Sequence, residues 1–143
     1  MSTKYRDILY NNYHTNQSGR ASLTDAKSLF EREKKQFERE ILPKLSGMSK
    51  SARIFDLGCG SGSLLMALKQ AGYTEISGMD LSQEQVDMAH GMGVAEVLLG
   101  DAMQFLRDAQ EGFDVITGMD IIEHFTKDEL VELLQLIQSK LNP

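Results

Sequence analysis

Residues 53–68 read RIFDLGCGSGSLLMAL, and the fold is decided there. The apolar run at 53–57 predicts a short buried strand. Gly58, Cys59, Gly60, Ser61 and Gly62 follow, and a helix is expected from Ser63. Three glycines at alternate positions cost backbone entropy, so the loop must need them. They allow a tight turn and let a ligand lie against bare backbone. The helix that follows points N–H groups and the positive end of its dipole at that ligand. Asp56 ends the strand, facing the same place. A carboxylate there repels phosphate and suits a ligand carrying an amine or hydroxyl groups.

Downstream the pattern repeats as strand, helix, strand, helix. Further strands are expected at 75–79, 95–99 and 113–118, and helices at 63–71, 82–90, 103–109 and 126–141. Gly72 suits the end of the first of these helices. Ser82 with Gln85, Thr126 with Glu129, and Asp120 with Glu123 all have capping-box spacing, the last for a short helix at 121–125. Leu130, Leu133, Leu134, Ile137 and Leu141 are expected to line the apolar face of the final helix. Such alternation makes right-handed βαβ units. The expected fold is therefore α/β: a Rossmann-like parallel sheet with helices on both faces and strand order 3-2-1-4. Ligands of such sheets sit beyond the carboxyl ends of the strands. An acid stands at every one of those ends: Asp56, Asp80, Asp101 and, after Met119, Asp120.

Upstream, residues 1–47 are expected to form a helical arm ahead of a domain at 48–143. The first part is polar, with Tyr5, Tyr10 and Tyr13; a short helix over 5–13 and a loop over 15–21 are expected. Ser22 or Thr24 can cap a helix running to about residue 41. Ala26, Phe30, Phe37, Ile41 and Leu45 fall near one face, and Pro43 ends it. A chain of 143 residues has room for one domain with a real core. Its net charge of -6 argues against a nucleic-acid surface, which would be basic. The single cysteine, Cys59, excludes an internal disulfide and a cysteine-based metal site. No apolar run reaches the length of a membrane span and no secretion signal is seen, so the cytoplasm is the expected compartment.

Each acid has more than one reading. Asp80 lies 18 positions past Gly62 (80 − 62), where an acid accepts hydrogen bonds from ribose hydroxyls. Its alternative is a turn residue ahead of the next helix. Asp101, followed by Ala102, suits an adenine amino group or the N-cap of its helix. Asp56 suits an ammonium group, a water beneath the loop, or the loop's own N–H groups. Cys59 reads as a small loop residue rather than a nucleophile, since no partner base stands out for it. His124 suits a general base or a substrate contact.

Taken in order, DLGCGSG (56–62), MDLS (79–82), GDA (100–102) and FDVITGMDIIEHF (113–125) resemble class I S-adenosylmethionine-dependent methyltransferases. The resemblance runs from about residue 53 to the end of the chain. It implies that Gly58, Cys59, Gly60 and Gly62 pack against the methionine part of S-adenosylmethionine, which leaves as S-adenosylhomocysteine. Asp80 would hold the ribose hydroxyls, with Leu81 beside it, and Asp101 and Ala102 would border the adenine. Met119 would lie beside the methionine end. Residues 119–125 resemble those of small-molecule O-methyltransferases, including those acting on quinone precursors. That makes Asp120 and His124 the expected catalytic residues. Some of those enzymes bind a divalent metal through an acid–x–x–Glu–His pattern matching Asp120, Glu123 and His124. The capping box of Asp120 and Glu123 weighs against it, and no metal is expected here. The Asn-Pro-Pro-aromatic motif of amino-methylating enzymes is absent. With the acidic charge, this points to a hydroxyl of a small molecule or sugar as methyl acceptor. Family members carry seven strands and this chain four, so it reads as an N-terminal fragment or as a chain whose remaining strands another chain supplies. Its fourth strand is expected to pair with another chain, as in a homodimer, or to be covered by N-terminal residues. Two other readings stay open. An NAD-dependent oxidoreductase shares the plan but prefers GxGxxG. A non-catalytic module would bind the nucleoside or only a partner chain.

Overall fold

β1 (Ile54–Leu57) is buried along its whole length, as a parallel strand covered on both faces must be. The computed structural model that contains it describes residues 22–143; the expected helix over 5–13 and loop over 15–21 lie outside them. Ahead of β1 come α1 (Leu23–Glu40) and a 3-10 turn (Leu42–Leu45). After it follow α2 (Ser63–Gln70), β2 (Ile76–Asp80), α3 (Gln83–Gly91), β3 (Val97–Leu99), α4 (Ala102–Asp108) and β4 (Val115–Gly118). A second 3-10 turn (Ile122–His124) and α5 (Lys127–Lys140) complete the described chain. All strand pairs are parallel and the order is β3-β2-β1-β4, as the alternating pattern predicts.

Side chains alternate across the sheet, so neighbours on β1 face opposite layers. Ile54 packs with Leu65 and Leu68 of α2, Ala89 of α3, and Phe30 and Phe37 of α1. Phe55 and Leu57 pack the other way, with Met103 and Leu106 of α4 and Leu133 of α5. Phe55 also stacks on Phe105, ring centroids 4.8 Å apart. α1 thus shares one core with the sheet rather than standing off from it. Among the described residues no helix is long and apolar enough to cross a membrane.

α5 starts as its spacing predicts, and α1 takes Ser22, one of the two caps the sequence offers. Ser22 with Asp25 and Thr126 with Glu129 both close reciprocal capping boxes. Two others differ. Ser82 accepts from Gln85 N–H, but its own N–H donates to Asp80 Oδ1 at 2.9 Å, so Gln85 has no cap N–H left to take. Asp120 caps nothing: its φ is 52°, whereas an N-cap needs extended backbone, and the turn after it begins from Ile121 with no side-chain cap. On α5, Leu134 is 55% exposed. Leu130, Leu133, Leu136 and Ile137 face the sheet instead, which is the i, i+3, i+4 set centred on Leu133. β3 and β4 are also shorter than expected. Phe113 lies outside β4 and makes an isolated parallel bridge to Leu141, which is itself 40% exposed.

Candidate functional site

The glycine loop is tied to β2 by its backbone. Gly58, Gly60 and Gly62 have φ of 61°, 55° and 80°, a left-handed path that side-chain-bearing residues resist. Cys59 N–H donates to Met79 O at 3.1 Å, which prolongs the pairing of β1 with β2. Gly60 N–H donates to Asp80 Oδ2 at 2.9 Å. Asp80 Oδ1 takes the N–H of Ser82, so one buried carboxylate fixes both the loop and the entry to α3. Holding the loop's N–H groups was a task the sequence offered to Asp56; Asp80 performs it for Gly60.

Asp56 lies opposite Thr117 of β4 in the sheet register and accepts its hydroxyl hydrogen bond at 2.7 Å. The carboxyl is 3% exposed. Burial lifts its pKa to about 6; the Thr117 hydrogen bond pulls it down and the Asp80 charge pushes it further up. The same burial, with Asp56 and Asp80 near, holds the Cys59 thiol far above its ordinary range, which leaves it a poor nucleophile. Cys59 turns toward the sheet: a β-carbon placed on Gly78 would meet its Cβ at 2.9 Å and its Sγ at 3.0 Å.

An open cavity of about 160 Å³ lies beyond the carboxyl ends of the strands. Gly58, Gly60, Asp80 and Leu81 line one part of it; Asp101, Ala102, Asp120 and His124 line another. Four residues singled out from the sequence are not on its walls. Asp56 and Cys59 are buried side chains bonded and packed as above. Gly62 faces α3 and β3, where a β-carbon would come within 3.3 Å of Ala89 and 3.4 Å of Val97. Met119 follows β4 on the outside and is 37% exposed. Sequence reasoning missed Gln85, Ile121, Phe125 and Leu133, which also face the cavity. The signal for Ile121 and Phe125 was their place beside His124. Gln85 was read only as a cap.

Asp101 serves as the N-cap of α4, its Oδ1 accepting Met103 N–H at 2.8 Å and Gln104 N–H at 3.3 Å. Its Oδ2 takes no hydrogen bond among the described residues. Asp120 is the one non-glycine residue among them with positive φ. His124 Nε2 lies 3.9 Å from Glu123 Oε1. Among the described residues no three His, Cys, Asp or Glu side chains converge as a metal site, those of Asp120, Glu123 and His124 included.

A model of the methyltransferase domain matches residues 54–143. The ubiquinone biosynthesis O-methyltransferase of Bordetella avium is 33% identical over 90 residues, 59% of this chain and 37% of that protein. The protein of the same name from Sinorhizobium fredii is 31% identical over 93 residues, 62% of this chain and 36% of that one. The chain therefore spans little more than a third of the length of these relatives. Among solved structures, a SAM-dependent methyltransferase from Archaeoglobus fulgidus is 28% identical with a TM-score of 0.68, over 79% of this chain and 48% of that one. The magnesium protoporphyrin IX methyltransferase of Synechocystis, solved with bound SAH, is 17% identical with a TM-score of 0.71, over 99% of this chain and 69% of that one. That likeness speaks for the fold alone. The matched stretch holds the glycine loop, the acids that end the strands and the 113–125 motif, and by it this chain belongs to the methyltransferase-domain family.

Proposed function

We propose that this chain is the S-adenosylmethionine-binding part of an enzyme that methylates a hydroxyl of a small molecule or sugar. The observation that carries this reading is Asp80. It is a buried acceptor at the end of β2, held by two backbone N–H groups, on the wall of a cavity whose other walls include Leu57, Met79 and Met103. The donor set fits the cofactor. An ionised carboxylate only accepts hydrogen bonds and has about four lone-pair sites, which suits Asp80 to ribose hydroxyls. Asp101 Oδ2 suits the adenine amino group, with Ala102 and Met103 as apolar neighbours of the base. Asp56 and Asp80 favour the cationic end of the molecule and disfavour a pyrophosphate. That preference, with the family, argues against the NAD reading. The names of the relatives support oxygen as the accepting atom.

The cofactor would supply a methyl group on positively charged sulfur. This chain's own residues would bind it and manage the acceptor's proton. His124, on the cavity wall with a side chain 26% exposed, would take that proton on its imidazole as the hydroxyl oxygen attacks. Glu123 would steady the imidazolium that results. Ile121 and Phe125 would keep water from the reacting groups. Asp120, beside them, would orient the acceptor.

Calorimetry with S-adenosylhomocysteine tests the binding half. Asp80→Ala is expected to weaken binding by about 1–3 kcal/mol, because buried hydroxyls lose a charged acceptor. Unchanged affinity removes Asp80 from the site. In a chain long enough to complete the acceptor pocket, His124→Ala is expected to lose methyl transfer far more than cofactor affinity. Equal loss of both makes His124 structural, and a complete chain that binds without transferring favours the non-catalytic module.

A further inference from the structure

Gln85 stands in the first turn of α3 and is 8% exposed, yet it lines the cavity beside Gly60, Asp80 and Ser82. Its backbone N–H donates to Ser82 Oγ at 3.4 Å. Its side-chain amide has no hydrogen-bond partner among the described residues. The Oε1 end lies 3.7 Å from the place a β-carbon would take on Gly60, so that glycine keeps the space in front of the amide clear. The amide is not sealed in the core: it opens on the cavity, where a ligand can reach both its donor and its acceptor. The local partner Gln85 would have had, the cap N–H of Ser82, is taken by Asp80.

We infer that Gln85 is a ligand-binding residue that works with Asp80 as a clamp on the sugar hydroxyls of a nucleoside; the inference rests on the cofactor reading above. The chemistry is complementary. The Asp80 carboxylate only accepts hydrogen bonds, whereas a primary amide both donates and accepts. A hydroxyl that donates to Asp80 keeps lone pairs, and the amide donors of Gln85 meet them. A second hydroxyl on the adjoining carbon can donate to the amide's carbonyl. The pair therefore selects a vicinal diol. An ammonium group, which has donors only, satisfies Asp80 but leaves the amide donors empty.

Calorimetry on the 143-residue chain with S-adenosylhomocysteine, and with its 2′-deoxy and 3′-deoxy analogues, tests the clamp beside thermal melting of the ligand-free protein. Gln85→Leu is expected to bind S-adenosylhomocysteine about tenfold more weakly. It should melt no lower than the wild type, since it removes an unbonded amide. Wild type should penalise at least one deoxy analogue, and Gln85→Leu should discriminate less. Gln85→Asn, which withdraws the amide by one methylene, should also bind more weakly at unchanged melting temperature. Undiminished affinity in both variants overturns the clamp and leaves the cofactor reading standing. A lower melting temperature with discrimination intact makes Gln85 a structural residue and also overturns it. A wild type that binds none of the three ligands overturns the cofactor reading, and the clamp with it.

Discussion

Asp56 sets a limit on the stability of the ligand-free protein. In the unfolded chain its carboxyl titrates near 3.8, and in the fold at about 6. The folded state therefore holds the proton more tightly. The stability this contributes is complete below about pH 4 and is lost as pH rises through about 6. A gap of about two units corresponds to ~3 kcal/mol. Above that range an ionised Asp56 sits buried with the Thr117 hydroxyl as its bonded neighbour and another acid nearby. Asp56→Asn keeps an acceptor for Thr117 and removes the charge. It is expected to melt above wild type at about pH 8 and close to it at about pH 4. A difference that does not vary with pH would show that Asp56 is not the titrating group. The residue scale also shows how far single positions could be read in advance. Asp80 was weighed as a ribose acceptor against a turn residue. The turn task is real, and the same carboxylate also lies on the cavity wall. Gln85 was hidden because its spacing from Ser82 satisfied a capping rule, and nothing in the sequence says that Asp80 reaches that N–H first.

At the scale of elements, the glycine loop depends on what lies beneath it. Gly78 of β2 sits opposite Asp56 in the register, under Cys59 and Leu65. A β-carbon there would meet Leu65 Cδ1 at 2.7 Å, Cys59 Cβ at 2.9 Å and Cys59 Sγ at 3.0 Å. Leu65 can rotate, but Cys59 Cβ moves only with a backbone that is bonded to Met79 O. Gly78→Ala is therefore expected to cost about 1–3 kcal/mol in denaturant unfolding and to weaken cofactor binding by shifting the loop. Gly47→Ala, with nothing within 4 Å of the new carbon, is the control and should be near neutral. Equal midpoints for the two variants would mean that the loop does not rest on Gly78. Gly78 drew no notice in the sequence, because a glycine inside a strand reads only as a weak point until the neighbouring layer is known. The elements themselves were legible wherever a local rule acted alone. Thr126 caps as its spacing says, Ser22 is one of the two caps offered for α1, and the strand ends fall at Asp80 and just before Asp101. Local rules failed where tertiary contacts competed. Asp120 is drawn into a left-handed turn beside the cavity, and Leu134 yields its place on the sheet to Leu136.

At the scale of the whole molecule the two ends of the sheet differ. The β3 end is three residues long and shows Leu98 and Leu99 to solvent. The β4 end is built as an inner strand, with Val115, Ile116 and Thr117 each half-buried. α1 does not cover it, since it packs against α2 and α3 at the other side of the molecule. On the outer side of β4, the bridge at its foot is the one pairing among the described residues: Phe113 N–H donates to Lys140 O at 2.7 Å, and Asn142 N–H to Phe113 O at 2.8 Å. Val115 N–H donates inward to Arg53 O at 3.2 Å, so by strand alternation the Ile116 N–H points outward. A strand edge of this kind is a template for another strand. The 143-residue chain is therefore expected to self-associate through β4, as a symmetric or exchanged pair. Light scattering should show a mass that rises with concentration. Hydrogen exchange should find the Ile116 amide protected in the associated form and fast in the dilute one. A monomer at high concentration with a fast-exchanging Ile116 amide would show that the open edge recruits no second copy. A monomer in which that amide is slow would equally show that β4 recruits no second copy.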